Sequence, residues 1–138
     1  MPYLLAILAG IFTTLEAAIN AKLGSIVTPK IATLHSLITG VFVILAINIL
    51  KGTLSQYNAV LHVSPQWLIG GVFGMFIVFF VTKTVPKLGV TTTLTLVVGA
   101  QILSSLYLDS FILKNTAFDF LKLAGIAFLL AGVYLLVE

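Results

Sequence analysis

Apolar runs separated by short polar breaks recur along the whole chain, and their length decides the solvent in which it folds. A helix needs about 20 residues to cross the hydrocarbon core of a bilayer. Runs of that length are predicted at about 2–23, 31–50, 66–85, 90–108 and 118–137. In "GSIVTPK", Gly24 and Pro29 read as stop and restart signals between the first two runs. The stretch "KGTLSQYNAVLHVSP" follows the second, and Pro65 opens the third, where its missing N–H costs little. "TVPKLG" breaks the third run, and "DSFILKNTAFD" separates the last two. Barrel strands would show shorter segments of period two. Met1–Leu23 lacks the basic start of a signal peptide and carries an acid inside its apolar part.

Charged residues make up 8% of the chain and hydrophobic residues 60%. Water-soluble domains carry about a quarter charged residues, so this chain has no means of covering itself with a polar exterior. The expected fold class is therefore an all-α integral membrane protein, a single transmembrane domain (1–138) of five helices. The chain has no cysteine, which excludes disulfides, thiol catalysis and zinc–thiolate sites. Its lysines are spread out and form no basic patch for nucleic acid. No nucleophile–base pair, phosphate loop or dinucleotide fingerprint appears, so no enzymatic activity, catalytic residue or cofactor is expected. His35 and His62, with no carboxylate in pattern, do not suggest a metal site.

Five spans place the two ends of the chain on opposite sides of the membrane. Lys22, Lys30, Lys83 and Lys87 then share one side, and Lys51, Lys114 and Lys122 share the other with the N-terminal amine. The positive-inside rule needs a bias, and here it is slight. An N-out orientation and insertion in both orientations are equally open.

Polar residues inside the runs fall at helical spacing. Thr13, Glu16 and Asn20 share one face of the first span; His35, Ser36 and Thr39 cluster on the second; Gln101, Ser104 and Ser105 on the fourth. Lipid offers no hydrogen bonds, so these faces are expected to turn toward a common, partly hydrated cavity. Glu16 is the acid that lies well inside a span; Asp109, Asp119 and Glu138 fall at ends or in loops. An intramembrane carboxylate is a functional candidate, because it can exchange a proton or bind a cation. The competing account is a protonated or lysine-paired glutamate that only helps packing. The candidate solute- and proton-binding residues are Glu16, Asn20, Gln101, Thr13, Ser105 and His35. For the hydroxyls, bonding to their own helix backbone is the simpler reading, and for His35 polar packing is. Gly70 and Gly74 form a GxxxG, and Ala17 and Ala21 keep the same spacing, which suits close helix packing. Trp67, Tyr57 and Tyr3 suit the membrane interfaces, and the phenylalanines of "FGMFIVFF" suit lipid or core.

Three segments in order resemble the YdcZ family of the drug/metabolite transporter superfamily. They are "GIFTTLEAAINAKLGSIVTPKIATLHSLITG", with Asn20, Leu23 and Gly40 matching; "PKLGVTTTLTLVVGAQILSSLYLDSFIL", with Gln101 and Asp109 in place; and the closing "LKLAGIAFLLAGVYLL". The resemblance spans nearly the whole chain, five-span count included. It departs at Glu16, where that family often has glutamine, and at "VGAQ" around Gln101. Larger members of the superfamily have ten spans built as two inverted five-span repeats. The resemblance thus implies half of a ten-helix inverted-repeat transporter, completed by a second, antiparallel copy in the bacterial inner membrane. Both copies of Glu16, Asn20 and Gln101 would then face one cavity, and two nearby carboxylates would titrate as a pair.

The expected function is secondary-active transport of a small organic solute by alternating access in a dual-topology homodimer. Cationic or amine-bearing solutes are among the candidates, and Glu16 is the candidate proton site. The alternative is a non-transporting subunit, or an obligate half that needs a related partner chain. A channel would show a ring of charge or a carbonyl filter, and neither is visible.

Overall fold

The computed structural model of the chain describes residues 1–108 and 120–137. Among them the regular elements are helices: α1 (Pro2–Ile26), α2 (Pro29–Leu50), α3 (Gly70–Leu88), α4 (Val90–Tyr107) and α5 (Phe120–Val137). Two 3₁₀ segments, Leu54–His62 and Pro65–Trp67, lie between α2 and α3. The stretches containing α1, α2, α3 (counted from Pro65) and α4 are long and apolar enough to cross a membrane. α5 occupies the place of the fifth predicted span, and its apolar stretch, Ala124–Leu136, is shorter. The break predicted around Asp109, the start of the fifth span and Glu138 lie outside the described residues.

The chain divides into two units, Met1–Lys87 and the part from Leu88 onward. In the first, α1 and α2 pack as an antiparallel hairpin; in the second, α4 packs on α5.

The α1–α2 connection is two residues, Val27 and Thr28. Thr28 is extended and caps α2, its Oγ1 accepting the amide of Ile31 at 3.2 Å. Pro29 takes the first helical position, as a restart signal should. Gly24, in contrast, does not stop α1, which runs on to Ile26. Its role is proximity. A Cβ at Gly24 would lie 2.8 Å from Thr82 Cγ2, 3.4 Å from Pro29 Cα and 3.7 Å from Ala32 Cβ. Three helices therefore converge where the chain carries no side chain.

That convergence belongs to a seam of small residues. Ala17, Asn20, Ala21 and Gly24 are the buried residues of α1, Ala32 and Thr33 those of α2, and Thr82 and Val85 those of α3. The large side chains point the other way: Leu4, Phe12, Leu15, Ile44, Phe73 and Phe80 are all exposed. This is the reverse of a water-soluble core. Lipid tails are as apolar as leucine, so nothing drives large side chains inward, and small ones let backbones approach.

Pro86 does not end the third span. It lies inside α3, which continues to Leu88. A proline has no N–H to give the carbonyl four residues back, so that of Thr82 loses its usual helical donor. The break falls instead at Gly89, whose φ of 80° is strained for other residues. At the far end of α2, the Gly52 and Thr53 amides bond the carbonyls of Ile49 and Asn48, both at 3.0 Å. This closes the helix in a Schellman motif, with Gly52 in the left-handed region.

Candidate functional site

Glu16 lies ten residues before the end of α1, about 15 Å along the axis. A crossing α1 therefore holds it deep in the membrane. Two neutral groups meet its carboxylate. Asn20, one turn on, donates through Nδ2 to Glu16 Oε1 at 3.4 Å. Ser36, on α2, donates through Oγ to the same oxygen at 3.3 Å. Asn20 Nδ2 also reaches Ser36 Oγ at 3.1 Å, so the three side chains close a triangle across the hairpin. Asn20 is buried, at 5% exposure, while Glu16 is exposed. Both bonds fall on Oε1, which leaves the lone pairs of Oε2 for a proton or a cation.

Beside this triangle, α1 and α3 enclose a cleft of about 30 Å³, lined by Thr13, Glu16, Asn20, Ile77, Val81 and Thr82 among others. Such a volume admits about one or two water molecules or a small cation. Thr82 is fully buried, and its hydroxyl has no partner among the described residues. A buried hydroxyl without a partner costs about 1–3 kcal/mol. Glu16 and Thr82 thus border one small, mostly apolar space.

The other candidate residues divide. Thr13 lines the cleft but gives its proton to the carbonyl of Ala9 at 2.9 Å. His35 is exposed, and the α2 residue that meets Glu16 is its neighbour Ser36. Gln101 and Ser105 are exposed on α4 in the second unit, where Ser105 bonds the carbonyl of Ile102 at 2.9 Å. A Cβ at Gly70 or Gly74 would meet nothing within 4 Å, so the tight contact within this unit falls at Gly24.

Sequence reasoning placed Ser36 in a polar cluster without pairing it to Glu16, and passed over Thr82. A two-residue connection would have revealed the first pair. Asn20 and Ser36 are centred on Thr28, as are Gly24 and Ala32, so the turn sets the register of both. Thr82 carried no such signal, because its place depends on how α3 lies against the hairpin.

The family model described as "Putative inner membrane exporter, YdcZ" matches residues 1–135. No curated protein and no solved structure matches the chain.

Proposed function

The chain belongs to the YdcZ family of inner membrane exporters, and on that premise we propose that it is a secondary-active exporter of a small organic solute, working as an antiparallel pair with Glu16 as its proton- or cation-exchanging group. It is a multi-pass protein of the inner membrane.

The observation that carries this reading is the pairing of Glu16 with neutral donors. A lysine partner would cancel the charge and leave a packing element. An amide and a hydroxyl stabilise the carboxylate without cancelling it, and both can also bond the protonated acid. The group is thus supported in both of the states that an exchange cycle needs.

Cleft size favours a second chain. Pockets for organic ligands run to about 300–1,000 Å³, and the cleft beside Glu16 is a tenth of the lower bound. A second copy in the opposite orientation would build a larger chamber around two carboxylates. The near-even division of lysines between the two sides suits such a pair.

Reconstitution of the purified single chain into liposomes tests the proposal. Saturable uptake with counterflow is expected. Flux that never saturates would mean a channel, and flux only with a related partner chain would replace the homodimer by a heterodimer. A thermal-stabilisation screen across amines, amino acids, nucleobases and organic acids would identify the solute class.

A further inference from the structure

Away from Glu16, α2 and α3 form a second hollow, and its chemistry differs. It has a volume of about 290 Å³ and an almost wholly apolar lining of Leu34, Leu37, Met75, Phe76 and Phe79, with Thr33 and Lys30. Lys30 is in the first turn of α2, and Leu37 lies seven residues deeper, about 10 Å along the axis. The hollow thus runs from a membrane face inward. A second cation stands beside it: Lys83 Nζ lies 5.9 Å from the centre of the Phe79 ring.

Charge at this end is one-sided. α1 and α3 end where α2 begins, so Lys22, Lys30, Lys83 and Lys87 gather at one face of the unit. The only acid in residues 1–87 is Glu16, eight residues before Gly24 and about 12 Å from it along α1. Lysines at a bilayer surface attract anionic headgroups, while their stems lie along apolar surface. An apolar slot with Lys30 in its lining and Lys83 over the ring of its Phe79 is complementary to a molecule with one anionic head and an apolar tail. In a bilayer that molecule is a lipid.

We propose that the α2–α3 hollow is a binding site for an anionic phospholipid, its acyl chain against Leu34, Leu37, Met75 and Phe76 and its phosphate between Lys30 and Lys83. The site is independent of the exchange reaction at Glu16. It tethers the lysine-bearing end of the first unit to acidic lipid in whichever leaflet that end occupies.

Native mass spectrometry on the full chain in a neutral detergent decides the matter. The chain is titrated with phosphatidylglycerol or with phosphatidylcholine of identical acyl chains. Each lysine near a headgroup is worth roughly a fivefold preference, so the wild type should favour phosphatidylglycerol by roughly 25-fold. Lys30→Gln/Lys83→Gln should bring the two lipids to near parity. Lys51→Gln, which removes a charge at the other end of α2, should leave the preference intact. Equal binding of both lipids by the wild type would overturn the proposal without any variant. A preference that survives the double substitution would also overturn it. So would displacement of the lipid by millimolar inorganic phosphate, which would mark a soluble-anion site.

Discussion

Asn20 on α1 and Ser36 on α2 are joined at 3.1 Å, and both donate to the one oxygen of Glu16. The carboxylate is therefore held by the hairpin itself. Ser36→Ala removes one of its two donors and should cost about 1 kcal/mol of stability. Asn20→Ala removes a buried amide and both of its bonds, and should cost about 1–3 kcal/mol. Thermal unfolding in detergent checks the order. Losses that simply add in the double variant would mean that the triangle does not act as one network.

Glu16→Gln keeps the shape and the hydrogen bonds but removes the exchangeable charge. Folding and oligomeric state should be unchanged, and transport should lose its dependence on pH. A variant that transports normally with the wild-type pH profile, while Asn20→Ala or Gln101→Ala is inactive, would mean that neutral hydrogen bonds hold the solute.

Gly24→Ala sets two effects against each other. Replacing a helical glycine gains about 1 kcal/mol. The added methyl would sit 2.8 Å from Thr82 Cγ2, on a residue with no exposed surface through which to move. Overpacking of that kind costs about 1–3 kcal/mol, so the variant should be less stable by up to about 2 kcal/mol. Thr82→Ser removes the opposing methyl. The double variant Gly24→Ala/Thr82→Ser should regain the loss, and a cycle of unfolding midpoints shows whether the two sites are coupled.

A Cβ at Gly74 meets nothing within 4 Å among the described residues, so Gly74→Leu begins in open space. Monomer unfolding should stay within about 0.5 kcal/mol of wild type. The fraction of paired chains should fall if the GxxxG face of α3 lies between copies, as the antiparallel arrangement proposed above requires of some close face. Light scattering in detergent reads both species. An unchanged paired fraction would place the contact elsewhere.

A reporter at the C-terminus should be found on both sides of the membrane, because the lysines are almost evenly divided. Two or three lysines added after Leu50 should fix one orientation. Labelling of the unmodified chain from a single side would rule out dual insertion.

Membrane helices were readable from the length of the apolar runs, because hydrocarbon thickness fixes that length whatever the sequence packs against. Their ends were less so. Gly24 looked like a terminator, since glycine ends helices, yet here it serves a three-helix contact that no local pattern reveals. Pro86 looked like a breaker, but a proline close to a helix end forfeits one bond and lets the chain continue to Leu88. Glu16 and Asn20 were legible because they sit one turn apart on one helix. Ser36 rather than His35 became their partner through a rotation of one residue, about 100°, around α2.

The two-residue turn at Val27 and Thr28 bears on how the protein is made. Helices joined so tightly cannot enter the bilayer one at a time with a free loop between them, so α1 and α2 must be inserted together. Lys22 and Lys30 flank that turn. The two lysines therefore lie on the same side of the membrane whichever way the hairpin goes in, and they act as one charge cluster in the balance that orients it. A substitution at either lysine thus shifts the charge of the whole turn, while Lys51, at the far end of α2, counts on the opposite side.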